Sequence, residues 1–185
     1  MEALDVLLNR VSTARLQAPA PSPAQREVLF RAALRAPDHG YLRPWRFLCI
    51  EDAGRERLGE LFAAAVLNKN PQAPAEALAK ARNMPLRAPL LVAVIASPKA
   101  SPKVPESEQV LAASCAAHGI LLAAHAQGLG AIWRTGDMAH DRFVADGLGL
   151  AAHEQIVAFL YLGSVDGELR TPPELNPADF VASWG

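Results

Sequence analysis

Apolar positions run almost unbroken through one stretch near the middle of the chain, residues 104–136. Between Glu108 and Arg134 lie 25 residues without a formal charge, most of them Ala, Leu, Val, Ile, Cys or Gly. A helix that is apolar on all sides belongs in the centre of a domain or against a partner chain. Gly128 and Gly130 can end such a helix. The pattern predicts a core helix that is also an interface helix, followed by a short buried strand.

A membrane span is the competing interpretation of this stretch, because its length is sufficient. Polar or ionisable side chains interrupt the run at five positions, Gln109, Ser114, His118, His125 and Gln127. Alanine, its commonest residue, is also only weakly apolar. We therefore expect a buried helix and no membrane-spanning segment.

Shorter patterns on both sides predict further strands and helices. Apolar runs predict four strands, at 45–51, 89–97, 130–134 and 155–163. The second run is nearly all aliphatic, which is typical of a strand covered on both faces. Amphipathic spacing predicts helices over 2–9, 54–67 and 75–83, and around 141–148. Ser22 followed by Pro23 predicts the start of another helix. The sum is a layered α/β or α+β fold with the long helix against the sheet.

Composition narrows the class of protein. A chain of 185 residues suits one domain with a proper core, and we expect residues 1–185 to form it. The formal net charge of −1 provides no basic field for nucleic acid or anionic membranes. Cys49 and Cys115 lie in apolar segments, so we interpret them as reduced core residues. The first residues lack the layout of a signal peptide, so the cytoplasm is the default location.

Candidate ligand contacts lie at the ends of these elements. Arg134 is the first charge after the apolar stretch and ends a strand, where α/β proteins tend to place ligand-contacting residues. The turn from Arg10 to Arg15 combines arginines with hydroxyls and can hold phosphate, although a solvated loop is the simpler interpretation of the turn alone. The loop from Ala36 to Trp45 is dense in polar and aromatic groups. It is either a binding loop or a well-satisfied connection.

Several familiar sites are missing from the sequence. It contains no phosphate loop of the G-x-x-x-x-G-K-[ST] type and no G-x-S-x-G nucleophile elbow, and its G-x-G pairs lack the Rossmann context. Cys115 and His118 share a helix face, but without further ligands nearby we expect no metal site. These residues on their own support only an α/β domain with arginines suited to an anionic ligand.

The order of the motifs adds a resemblance. Arg10-x-Ser12, RAPDHGYLRPWRF, a long helix ending in AAHAQGLGAIWRTG, and VAFLYLG together resemble the nitroreductase family of flavoproteins, and its small YdjA-type members above all. The resemblance covers nearly the whole chain in order. It implies an α+β fold, a three-layer sandwich whose central mixed sheet of four main strands is flanked by helices, in an intertwined homodimer. It also implies FMN at the dimer interface and NAD(P)H as the electron donor.

The resemblance further implies roles for individual residues. The FMN site of the family corresponds here to Arg10, Val11, Ser12, Arg35, His39, Trp133, Arg134 and Thr135. Of these, Arg35 and His39 would reach the FMN bound mainly by the other subunit. The segment associated with the nicotinamide nucleotide corresponds to Ala123, Ala124, His125, Ala126, Gln127 and Gly128. No side-chain acid or base is required, because the flavin carries the chemistry. The implied activity is ping-pong hydride transfer from NAD(P)H through FMN to nitroaromatics, quinones or related acceptors.

The chain departs from the family pattern at two positions of this implied site. Ala14 stands where many members have a basic residue, and Arg43 stands where Gln is common before Pro-Trp. The sequence leaves open whether Arg15 substitutes near flavin N1 and whether Arg170 of the tail reaches the phosphate. These departures motivate an alternative function, a flavin-binding dimer that acts as a carrier or sensor without significant NAD(P)H turnover.

Overall fold

The computed structural model describes residues 2–185. Its α-helices are α1 Ala3–Asn9, α2 Pro23–Ala33, α3 Ala53–Lys69, α4 Ala75–Asn83, α5 Glu106–Ala126, α6 Gly136–Ala139 and α7 Arg142–Gly147. Its strands are β1 Leu16–Gln17, β2 Trp45–Glu51, β3 Leu90–Ala96, β4 Gly130–Arg134 and β5 Gln155–Val165. Short 3-10 helices span His39–Tyr41, Pro85–Arg87 and Pro177–Asp179. The four predicted strands are confirmed, and β1 is a two-residue addition to them.

The strands form one sheet in the order β2-β3-β5-β4, and β1 pairs with Ser164 and Val165 at the end of β5. Every strand pair that the structure describes within residues 2–185 is antiparallel. The expectation of a mixed sheet is therefore wrong for this part of the chain. The aliphatic run of β3 shows that both faces of the strand are covered, but it carries no information on the direction of its neighbours.

Each face of the sheet carries a hydrophobic core. The odd-numbered residues of β3 from Leu91 to Ile95 pack with Phe62 and other side chains of α3, α4 and α7. The even-numbered residues from Leu90 to Val94 pack with Ile120 and other side chains of α2 and α5. Fully burying a Leu, Ile or Phe side chain stabilises the fold by roughly 1.5–3 kcal/mol, so β3 joins both helical layers to the sheet. The three-layer α+β sandwich is confirmed.

The predicted central helix is α5, which has 21 residues. It packs on β3, on β5 and on α2. A Cβ on Gly119 would lie 3.0 Å from the Ala32 carbonyl oxygen, so a larger residue would crowd the close approach of α2 and α5. By length and composition α5 is the one described helix that resembles a membrane span. Its inward residues, however, are buried against the sheet and α2, as expected of a core helix.

The outward side of α5 is also largely apolar. Leu111, Cys115, His118 and Leu122 follow one another at helical spacing, and we call this set the outer stripe of α5. Leu111 is 64% exposed, and Cys115 is exposed as well. Cys49 on the edge strand β2 is the other exposed cysteine. The prediction that both cysteines belong to the core is wrong, because apolar neighbours in sequence do not determine which face a residue occupies.

Candidate functional site

The segment that leads into β1 lies along β4. The Thr13 N–H donates a hydrogen bond to the Ala131 carbonyl oxygen at 2.9 Å. A Cβ on Gly130 would overlap the Leu16 side chain. Ala131 pairs with Leu162 of β5, whereas the Arg15 carbonyl oxygen accepts from the Asp166 N–H, farther along β5. Residues 13–15 therefore run antiparallel to β4, and β1 then turns back into the direction of β4.

Because the segment before β1 runs antiparallel to β4, two groups of predicted flavin residues are directed to the same end of β4. Arg10–Ser12 precede Thr13, so the course of this segment directs them toward the carboxyl end of the strand, where Trp133–Thr135 stand. Arg10 and Val11 are half-buried and Ser12 is exposed, while all three residues of the second group are half-buried. The two groups together offer guanidinium, hydroxyl, indole and backbone N–H groups at a partly open edge of the sheet.

Successive side chains of β4 face opposite layers. Ile132 packs toward the α3 layer and Trp133 toward the α5 layer. Arg134 returns to the α3 side, where its Cζ lies 5.8 Å from the centre of the Tyr161 ring. Its Nε is buried and has no hydrogen-bond partner within residues 2–185. Arg134, the ligand contact predicted from the end of the strand, thus carries a buried donor without a partner in the described residues.

Arg35 and His39 lie toward the start of α5. The helices α2 and α5 run antiparallel, since the Gln127 side chain donates to the Gln25 carbonyl oxygen near the start of α2. His39 Nδ1 lies 2.8 Å from a carboxylate oxygen of Glu108, in the first turn of α5. At about 1.5 Å per residue, this turn is roughly 25 Å from the other end of α5. Within residues 2–185, the hydrogen bonds and ion pairs join neither Arg35 nor His39 to Arg10–Ser12.

The predicted nicotinamide segment forms the end of α5. Ala123 and Ala124 are buried in the core, which leaves the remaining residues of the segment as its accessible part. His125 is half-buried, and its Nε2 has no hydrogen-bond partner in the described part of the chain. Gln127 is engaged with backbone carbonyl oxygens of Gln25 and Ala123. Any contact with a nucleotide would therefore involve the segment from His125 to Gly128.

A cavity of about 200 Å³ opens beside Arg134 on the α3 side of the sheet. Arg87 from the 3-10 helix before β3 and Tyr161 from β5 line it together with Arg134 and Thr135. Burial raises the pKa of the Tyr161 hydroxyl, whereas the charges of Arg87 and Arg134 act in the opposite direction. Neither Arg87 nor Tyr161 was predicted from the sequence. Two signals in the sequence could have found them: Arg87 is a charge directly before the aliphatic strand β3, and Tyr161 is a phenol within the apolar strand β5.

Residues 7–164 match the sequence pattern described as the Nitroreductase family. The chain belongs to the nitroreductase family. It is 41% identical over 179 residues to a protein of Escherichia coli (strain K12) named "Putative NAD(P)H nitroreductase YdjA", and the match covers 97% of this chain and 96% of that protein. The predicted relation to the YdjA-type members is confirmed, and the chain is a nitroreductase-type oxidoreductase.

Solved structures of similar fold carry related descriptions. A nitroreductase-like family protein from Bacillus cereus has a TM-score of 0.84 at 19% identity, over 100% of this chain and 96% of that one. A nitroreductase with bound FMN from Bacteroides fragilis has a TM-score of 0.74 at 18% identity, over 100% of both chains. At these identities the similarity establishes the fold.

The structure locates Arg15 and Arg170, the two arginines whose role at the flavin the sequence left open. Arg15 and Arg170 lie with Ser12 around a cavity of about 100 Å³, so the tail does return to this side of the predicted flavin site. Asp166 and Glu168 line the same cavity. The Asp166 carboxylate accepts a hydrogen bond from Arg15 at 3.2 Å. Arg15 is therefore directed toward the tail.

The loop that carries Arg43 has an unusual backbone. Tyr41 and Arg43 both have positive φ, at 54° and 50°, which non-glycine residues rarely adopt. The Asp38 carboxylate accepts hydrogen bonds from the N–H groups of Leu42 and Arg43 and holds this conformation. Tyr41 is 85% exposed. A strained loop that presents an aromatic ring and a guanidinium fits the binding loop predicted from the sequence.

Proposed function

We propose that this protein is an FMN-dependent NAD(P)H oxidoreductase that passes hydride through FMN to nitroaromatics, quinones or related acceptors. The observation that carries the proposal is the Thr13–Ala131 hydrogen bond, which brings the segment that carries Arg10–Ser12 against β4, the strand that leads to Trp133–Thr135. Family membership and the nitroreductase name of the relative from Escherichia coli support the reaction class.

The residues at this end of β4 fit FMN. Arg10 forms no ion pair within residues 2–185, and together with the exposed Ser12 hydroxyl it can make charge-assisted hydrogen bonds to a phosphate. The buried, unpaired Nε of Arg134 provides a further donor. When bound, FMN supplies hydride acceptance and donation, as flavins do. The chain supplies the phosphate contacts, the position of the ring and partial exclusion of water.

We further propose that the protein functions as a homodimer, because a single chain exposes large apolar surfaces to solvent. The outer stripe of α5 is one of these surfaces. Leu4, Leu7 and Leu8 of α1 are 57–72% exposed beside it, and Phe180 and Trp184 of the tail are also exposed. Exposed apolar surfaces of this kind mark interaction sites. A two-fold axis across α5 would bring Arg35 and His39 of a second copy to the Arg10–Ser12 end of the first.

A flavin-binding carrier or sensor is the second candidate. It is favoured by Ala14, which offers no charge near the ring, and by Arg15, whose guanidinium is engaged with Asp166. This candidate binds FMN but does not turn over NAD(P)H at a useful rate.

One experiment tests the proposal and separates the two candidates. The purified protein is loaded with FMN, desalted, and its visible spectrum recorded before rapid mixing with NADH or NADPH. We expect a retained flavin band that bleaches on mixing and recovers when a quinone is added, with free FMN as the control for uncatalysed reduction. A retained band that does not bleach faster than free FMN supports the carrier. A colourless protein after desalting overturns both candidates.

A further inference from the structure

The cavity beside Arg134 contains two guanidinium groups and the Tyr161 phenol. We propose that it receives the pyrimidine edge of the FMN ring and that Arg87 and Arg134 offset the negative charge which this edge gains on reduction. The inference rests on the proposed function for the presence of FMN. It assigns Arg87 and Tyr161 to the flavin site.

The location of the cavity connects it to the predicted flavin residues. Arg134 and Thr135 belong both to the cavity wall and to the group that Arg10–Ser12 meet at the end of β4. Because Arg134 faces the α3 side of the sheet from that end of the strand, a ring bound there can turn one edge into the cavity. The cavity volume of about 200 Å³ accommodates one edge of a flavin but not the entire cofactor.

The polar groups of the cavity lack partners in the described part of the chain. Arg134 Nε is buried without a hydrogen bond. Tyr161 is only 4% exposed and lines the cavity with both guanidinium groups. Arg87 takes part in none of the ion pairs within residues 2–185. Arg87 is exposed, so its guanidinium is open to a ligand from the solvent side. The buried Arg134 Nε is costly unless a ligand satisfies it, and with Arg87 and Tyr161 beside it the cavity fits a ligand edge that accepts hydrogen bonds.

The charge and the floor of the cavity select a ring in preference to a phosphate. Asp137 is the one acid among the lining residues, so the two guanidiniums exceed it by one positive charge. The floor is apolar, with Phe62 and Phe159 in edge-to-face contact at 5.5 Å between ring centres. A phosphate dianion would lose its hydration against this floor. A planar heterocycle stacks on it and still turns its carbonyl oxygens toward the donors.

Charge balance gives the guanidiniums a function. Hydride transfer moves two electrons and one proton, so NAD(P)H leaves as NAD(P)⁺ and the flavin gains one negative charge unless it takes up a further proton. That charge resides mainly along the N1 and C2 carbonyl edge. A fixed cation near this edge stabilises the reduced form more than the oxidised form and raises the reduction potential. Arg15 is paired with Asp166, whereas Arg87 and Arg134 are free to act in this way.

The test is a reductive titration of FMN-loaded Arg87→Gln with dithionite against a reference dye, which requires no NAD(P)H turnover. We expect the ratio of affinities for reduced and oxidised FMN to fall about tenfold, which equals a potential lower by about 30 mV for a two-electron couple. Arg87→Lys keeps the charge and should stay within about threefold of the wild-type ratio. Lys80→Gln removes the same charge from the exposed side of α4 and should change nothing.

Three results would overturn the inference. The first is a wild-type potential in Arg87→Gln with FMN bound. The second is an equal loss in Arg87→Gln and Lys80→Gln. The third is an unchanged potential combined with a raised KM for carboxylate-bearing acceptors only, which would assign the cavity to the acceptor. A wild-type protein that does not retain FMN is a separate result, since it removes the proposed function itself. If Arg87→Gln does not fold, Tyr161→Phe replaces it, with a smaller expected shift in the same direction.

Discussion

The charged side chains of this chain fall into two groups at the scale of single residues. Arg26 and Arg46 each make two hydrogen bonds to one carboxylate, on Glu51 and Glu154, and so join separate elements. Arg134 instead keeps a buried Nε without a partner. Leaving a buried donor unsatisfied costs about 1–3 kcal/mol. The first group therefore stabilises the fold, and the second marks a place where a ligand completes the hydrogen bonding.

Glu154 illustrates the stabilising group and its pH dependence. Its carboxylate accepts hydrogen bonds from Arg46 Nε at 2.7 Å and from the Ala151 N–H at 2.9 Å. The bonds from Arg46, followed by that from Ala151, lower its pKa from the ordinary value of 4.5 to about 2. The folded state thus binds fewer protons here than the unfolded state. The stabilisation is complete above pH 4.5 and is lost as the pH falls toward 2.

We expect Glu154→Gln to lower the free energy of unfolding by about 2 kcal/mol near neutral pH, because it removes hydrogen bonds to a charged group. Urea unfolding of both proteins at several pH values should show this difference shrink below pH 4.5. Glu27→Gln on the exposed side of α2 serves as the control and should be close to neutral. A difference that is constant from neutral to acidic pH would contradict the assigned role of the Arg46 pair.

At the scale of elements, the sequence predicted most of what burial determines. The aliphatic run of β3 and the Ser22 cap of α2 were both correct, and the Ser22 hydroxyl accepts from the Gln25 N–H as a cap should. Strand direction and the two residues of β1 were not predictable, because pairing depends on contacts distant in sequence. Arg87 and Tyr161 were missed for the same reason. Each is unremarkable within its own segment, and only the packing of α3, β4 and β5 brings them to one cavity.

The contact between α3 and α4 permits a matched pair of substitutions. A Cβ on Gly59 would overlap the Arg82 carbonyl oxygen of α4, whereas a Cβ on Gly54 in the same helix has its nearest neighbour at 3.6 Å. Gly59→Ala should lower the free energy of unfolding by about 1–3 kcal/mol through overpacking. Gly54→Ala should raise it by up to about 1 kcal/mol through helix propensity.

The same pair of variants has a consequence for the cavity. Phe62 of α3 and Met84 after α4 both line it, so separating the two helices disturbs the wall that we assign to the flavin edge. Urea unfolding and FMN titration should therefore both respond to Gly59→Ala and not to Gly54→Ala. Equal stability of the two variants would show that α3 and α4 can move apart at no cost.

At the scale of the whole molecule, one half of the predicted flavin site lies along β4 and the other at the start of α5. Thr13, which follows Arg10–Ser12, bonds to Ala131 of β4, and His39 contacts Glu108 in the first turn of α5. We expect a site that needs both halves to be assembled from two chains, with the second copy on the uncovered outer stripe of α5 across a two-fold axis.

Mixing two defective variants tests this assembly directly. Arg10→Ala with Ser12→Ala removes one half of the site, and Arg35→Ala with His39→Ala removes the other, so each variant alone should lose FMN while it remains folded and dimeric. In a mixed dimer one site receives both intact halves and the other receives neither. Random exchange of subunits should restore about a quarter of the sites, measured as flavin retained after desalting of co-refolded protein. If each chain holds its FMN alone, the mixture retains no more flavin than its components, and the composite site is excluded.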